Sequence, residues 1–331
     1  MIAFILHRIL LMIPTVILIS FVSFAIIVLP PGDFLTSYVA QLASTGTNVD
    51  QATIESLRNL YGIGEPFYVQ YWKWISRIIF YGDFGISFEW NQPVSDFLWG
   101  RVGLTFFISG IALMATWIIA FPIGILSAVR QYSVMDYAST FVAFMGLAVP
   151  DYLLALILMI GAFVFFGADV AGLFSLQFAD APWSWGKVWD MLGHLWVPIL
   201  VLSTERTAVL VRVMRANLLD ELQKPYVTAA RAKGISETQV LIRYPVRAAL
   251  NPFVSTVGWE LPNLISGVTI VSVVLSLPTT GPILLRSLLS QDMYLAAAFI
   301  LILSVLTLVG TLLSDVLLAM LDPRIRLQGA R

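Results

Sequence analysis

The chain has 331 residues, 59% of them hydrophobic and 12% charged, with a mean hydropathy of +0.87. Soluble domains carry about 25% charged residues, so this composition excludes an ordinary soluble globular protein. With no cysteine, disulfides and thiolate metal sites are excluded, and a net charge of −1 gives no basic field for nucleic acid.

Apolar runs of about 20 residues mark membrane spans. Six qualify, and they predict an all-α polytopic membrane protein: 9–29, 103–126, 138–166, 194–214, 253–276 and 294–318. The first follows His7-Arg8 and ends at Pro30-Pro31-Gly32. It is too long for a signal h-region and no small-residue cleavage site follows, so it reads as a retained span. Between it and the second span lies an external segment, 30–102. There Asp50 is placed to cap a helix from Gln51 to Tyr61, and Pro66 to open an aromatic one, Phe67 to Ile75, at the membrane surface. The third span is expected to kink at Val149-Pro150-Asp151. Segment 167–193 is external and rich in tryptophan, the fourth span is interrupted by Glu205-Arg206, and 205–252 forms a polar region. The expected division is 1–29 as first helix, 30–102 as external segment and 103–331 as a five-helix core.

Charge orients these spans. With the N-terminus inside, 13 of the 19 basic residues fall on the cytoplasmic side, eight of them between Arg206 and Arg247. Both termini are then cytoplasmic.

The most informative polar stretch is Lys224-Pro225-Tyr226-Val227-Thr228-Ala229-Ala230-Arg231-Ala232-Lys233-Gly234. Pro225 suits a first helical turn. The alanines favour helix with little bulk, and Gly234 supplies a left-handed stop. Such a short, smooth helix suits a groove on another protein. The stretch resembles the coupling motif of permease subunits of ATP-binding-cassette importers, in the oligopeptide/dipeptide branch. Further likeness lies in His7 to Pro14, Pro31-Gly32-Asp33, Gly82-Asp83-Phe84-Gly85-Ile86-Ser87, Arg247 to Pro252 and Leu321 to Arg326. Thr228 stands where the wider superfamily often has glutamate, as is usual in this branch. Ser272 and Pro278-Thr279-Thr280-Gly281-Pro282 depart from the branch's usual glutamate and Pro-Gly-x-Gly turn. That departure leaves both an oligopeptide and an oligosaccharide open as solute.

The resemblance implies an inner-membrane permease subunit that is not itself an enzyme. Its implied partners are a second homologous permease, two ATPase subunits carrying ATP and Mg, an extracytoplasmic solute-binding protein and lipid. No phosphate-cradling Gly-x-x-x-x-Gly-Lys-Ser/Thr loop occurs in the chain, so no cofactor is expected on it. Tyr226, Ala229, Ala230, Arg231, Ala232, Lys233 and Gly234 are the expected ATPase contact, and segments 30–102 and 277–293 the expected external contact. Within the spans a charged group costs about 2.5–3.5 kcal/mol on insertion scales. Glu205, Arg206 and Glu260, with Asn263, Ser266 and Ser272, are therefore expected to face a translocation path, or to form a structural Glu–Arg tie between spans four and five. Asp151 and Asp315 read as structural. The competing reading is a proton-coupled secondary transporter carrying its proton on Glu205 or Glu260; it lacks the inverted repeats usual in such proteins. Two histidines, His7 and His194, are too few and too far apart for zinc.

Overall fold

The computed structural model describes residues 2–29, 55, 59, 64–87, 89–179, 181–250 and 267–321. The described chain is nearly all helix. It comprises α1 (Ile2–Val28), α2 (Phe67–Tyr81), α3 (Val94–Val129), α4 (Val134–Ala148), α5 (Asp151–Phe166), α6 (Trp185–Leu222), α7 (Pro225–Ala232), α8 (Glu237–Arg243), α9 (Pro245–Ala249), α10 (Thr280–Leu289) and α11 (Met293–Leu321). Residues 267–274 are also helical. Two short strands, β1 (Ile86–Ser87) and β2 (Gln92–Pro93), pair antiparallel just before α3. The chain separates into two compact units, one of residues 9–102 and 283–306, the other of 1–8, 103–282 and 307–331.

By length and composition α1, α3 and α11 can each cross a membrane, and α4 with α5, bent by 101° at their break, has the composition of a broken span or a re-entrant loop. Instead of the expected kink there is a complete break. Val149 is extended (φ −97°, ψ 118°), as the residue before a proline prefers, and Pro150 starts a new helix with Asp151 in its first turn. Pro14, Pro122 and Pro198 stay inside their helices, so the break needs the extended residue as well as the proline. The fourth expected span sits inside α6, which starts at Trp185, nine residues early. The Ser184 side chain accepts the Lys187 N–H there and caps the helix. α6 has the length for a span, but its charged residues make it less apolar than α1, α3, α4, α5 and α11. Of the fifth expected span only 267–276 is described, and the proposed 51–61 helix with its Asp50 cap falls almost wholly outside the described residues.

In the smaller unit α2 runs six residues beyond its expected end, to a left-handed Gly82 (φ 64°). One face of it packs on α1: Phe67 and Tyr71 meet Phe21 and Phe24 edge-on at 5.1–5.7 Å, while Trp74 lies 5.5 Å from Phe24. The opposite face exposes Tyr68, Trp72 and Phe80. Downstream, Asp292 accepts the Ser87 hydroxyl and the Glu89 N–H (3.3 Å), and Arg286 pairs with Glu89 while stacking 5.0 Å over Trp90.

The larger unit has an apolar core from α3, α5, α6 and 267–277, including Ile108, Ala155, Leu195, Val201 and Leu275. Buried hydroxyls cross it: Thr105 and Thr280 share a hydrogen bond of 3.0 Å, and the Thr280 N–H donates to Thr105 at 3.1 Å. Helix contacts here depend on missing side chains. A Cβ on Gly124 would lie 2.7 Å from the Met214 Cβ, and one on Gly146 would lie 2.9 Å from the Thr204 Cγ2. Among the described residues Gly110 meets nothing within 4 Å and Gly161 touches only Phe165 at 4.0 Å, so close packing explains two of these four glycines there.

Candidate functional site

The polar stretch singled out by the sequence folds as α7, which forms a helical hairpin with the two short helices that follow it, α8 and α9. Lys224 is the extended N-cap of α7 (ψ 145°) and Pro225 its first residue. The helix closes with Lys233 N–H donating to Ala229 O (3.2 Å) and Gly234 N–H to Arg231 O (2.9 Å). Gly234 has φ +76°, the left-handed region where a Cβ is strained. The hairpin has its own small core: Val227 and Ala230 are buried against Val240, flanked by Ile235 and Tyr244. These are the two buried residues of α7, spaced i, i+3 on one stripe.

Tyr226, Thr228, Ala229, Ala232 and Lys233 are left exposed. Of the expected contact set, Ala230 therefore packs inward rather than outward. Arg231 lies across to Glu237 with both guanidinium arms, Nε to Oε1 at 2.9 Å and Nη2 to Oε2 at 3.2 Å. It pins the helix to the start of α8. The Tyr226 hydroxyl donates to Glu221, and its pKa is pushed up to about 12 by partial burial and then by that hydrogen bond and the Glu221 charge. It therefore stays a donor at physiological pH.

Two tethers attach the hairpin to α6: the two-residue link from Leu222 to Pro225 and the packing of α9. Val246 and Ala249 join Leu210, Val211, Met214 and Leu218 in one apolar cluster.

The intramembrane residues are only partly brought together. Glu205 is exposed and Arg206 half-buried; an Arg206 Nη2 lies 3.2 Å from where a Cβ on Gly267 would sit. Arg206 thus reaches the described part of the fifth-span stretch at Gly267. Asp151, at the α4–α5 break, lies within electrostatic reach of both Glu205 and Arg206, which its position in the sequence does not reveal. Ser272 is fully buried, as are Thr279 and Thr280. Glu260, Asn263 and Ser266 lie outside the described residues. Asp315 pairs with Arg8 at 3.3 Å.

Sequence reasoning passed over one buried ion pair. Asp136 at the start of α4 holds Arg215 of α6 through two hydrogen bonds of 2.7 and 2.8 Å. The residues stand 79 apart, and the only hint was an aspartate too near the start of a span to face lipid.

This chain is similar along nearly its whole length to known permeases. Its relatives include the oligopeptide transport system permease protein AppB of Bacillus subtilis, 34% identical over 326 residues, 98% of this chain and 99% of the relative. The glutathione transport system permease protein GsiC of Escherichia coli is 30% identical over 326 residues, covering 98% and 99%. The dipeptide transport system permease protein DppB of Alkalihalophilus pseudofirmus is 29% identical over 339 residues, covering 98% and 100%. Residues 1–109 match the N-terminal model of the binding-protein-dependent transport system membrane components. Residues 120–327, which carry the α7–α9 hairpin and the Asp136–Arg215 pair, match the main model, so the chain belongs to the family of binding-protein-dependent transport system inner membrane components.

Proposed function

We propose that this chain is one of two homologous permease subunits of a peptide importer, and that α7 is where a separate ATPase subunit docks. The observation that carries the docking assignment is the two-faced character of α7. Val227 and Ala230 seat it on its own small core, while Ala229 and Ala232 leave the outward side low in bulk between the exposed Tyr226 and Lys233. A helix seated on one side and smooth on the other can be pushed as a rigid piece. The names of the relatives speak for peptides as the solute class.

In this reading the chain crosses the membrane six times with both termini cytoplasmic, the orientation its basic residues favour. A solute-binding protein delivers its load on the external side. ATP, with Mg, is bound and hydrolysed on two partner subunits, and the chain's own part is mechanical. Nucleotide-driven closure of the ATPases moves α7, and the helices joined to it reshape the path between the two permeases. Glu205 and Arg206, with Asp151 beside them, and Glu260, Asn263 and Ser266 are the proposed polar lining; Ser272 is fully buried in the chain and drops out of it.

The test is uptake of a labelled peptide by cells expressing the importer with Gly234→Asp in this chain. The variant is expected to insert normally and to lose uptake. Normal uptake would refute the docking assignment.

A further inference from the structure

Asp136 is 3% exposed, yet its carboxylate gathers four donors from three different parts of the chain. The guanidinium of Arg215 on α6 donates through Nε to Oδ1 (2.7 Å) and through Nη2 to Oδ2 (2.8 Å). The Tyr132 N–H donates to Oδ2 at 2.9 Å. The Ser127 hydroxyl, in the last turn of α3, donates to Oδ1. Tyr132 holds φ +63°, a conformation that costs a non-glycine residue energy and persists only when its surroundings fix it. The bond from its amide to Asp136 is one such fixture, so the carboxylate sets the shape of the α3–α4 turn and ties it to α6.

The residue before Arg215 makes a second tie. Met214 meets α3 at Gly124, where the absent Cβ would stand 2.7 Å from the Met214 Cβ. Met214 also belongs to the cluster that holds Val246 and Ala249 of α9. Behind α9 comes α8, whose Val240 seats α7. Packed contacts therefore run without interruption from α7 through α8 and α9 to the turn of α6 that carries Met214 and Arg215. From there they reach α3 through Gly124 and α4 through Asp136.

We propose that Asp136 and Arg215 are positioning residues for transport: their bidentate pair makes the adjoining ends of α3, α4 and α6 follow the α7–α9 hairpin as one body. The proposal rests on reading α7 as the ATPase contact. A planar fork on a carboxylate fixes direction as well as distance, where a lysine would offer a point contact free to swivel. A buried ion pair adds little to stability compared with a packed apolar pair, and its best-attested use is to fix register. Without the fork, α6 can bend at its own end when α7 is pushed, and the push does not spread to α3 and α4.

The experiment reconstitutes the complete importer with wild-type chain, Arg215→Lys or Asp136→Asn. It measures ATP hydrolysis and peptide uptake per assembled complex, with assembly counted from the recovered ATPase. Arg215→Lys keeps the buried charge neutralised and serves if Asp136→Asn, which strands an arginine, fails to assemble. The expected result is hydrolysis within about twofold of wild type and uptake per ATP lower by about tenfold. Wild-type uptake per ATP in Arg215→Lys would overturn the proposal, and so would uptake and hydrolysis falling together in step with lost assembly. A wild-type chain that recovers no ATPase would remove the docking assignment itself, which neither variant result can imitate.

Discussion

Gly234 separates two things a residue at the end of α7 can do. Among the described residues no atom lies within 4 Å of the place its Cβ would take, and its φ is +76°. Alanine there costs only backbone strain, about 1–2 kcal/mol, so Gly234→Ala is expected to keep most uptake while Gly234→Asp loses it. Equal losses in the two would mean that conformation, rather than a partner's surface, sets the requirement for glycine. Arg231 offers the complementary test. Its pair with Glu237 is half in solvent, and exposed pairs are worth about 0.2–1 kcal/mol. Arg231→Ala should therefore leave thermal stability nearly unchanged, and any strong loss of uptake would come from a partner. Val227 is fully buried in the hairpin; Val227→Ala should loosen the hairpin by about 2 kcal/mol, read as faster proteolysis between α7 and α8. At this scale the sequence was informative where one residue has one reason, as with Pro225 and Gly234. It set Ala230 among the outward contacts although Ala230 packs inward, because the choice between faces needs the i, i+3 partner Val227 and the distant Val240.

Among the elements, the apolar helices were legible from hydropathy, and their limits were not. α3 starts at Val94 and α6 at Trp185, both nine residues before the expected spans, because polar turns can continue a helix beyond the apolar run that announces it. The α4–α5 break was half legible: Pro150 was visible, the 101° bend was not. The glycines show the same limit. Gly110, Gly124, Gly146 and Gly161 all lie within the expected spans, yet Gly146 faces Thr204 at 2.9 Å while Gly110 meets no described residue within 4 Å. Gly110→Ala should therefore leave the folded chain intact or raise its stability by roughly 0.5–1 kcal/mol. Gly146→Val should lower the midpoint of thermal unfolding in detergent, since α4 must move off α6. Identical behaviour of the two variants would show that the α4–α6 contact does not depend on that gap. Asp136 and Arg215 could not have been paired in advance, because nothing local in either helix points to a partner 79 residues away.

For the molecule as a whole, the motif order along the chain and the lack of a phosphate-binding loop carried the reading of an importer's membrane subunit, and family membership agrees with it. The proposed path was the least legible part. Glu205 and Arg206 are neighbours in sequence, yet one is exposed and the other turns toward Gly267; Asp151 joins them only because a broken helix brings it there. An account built on a mechanical subunit stands or falls on whether ATPases bind it through α7. The most direct measurement is an affinity pull-down of the wild-type and Gly234→Asp chains from native membranes, with the co-purifying proteins identified by mass spectrometry. The account predicts that the wild-type chain brings down a second permease and ATPase subunits, and that Gly234→Asp keeps the permease and loses the ATPases. A wild-type chain that purifies alone, or a variant that retains its ATPases in full, would contradict it.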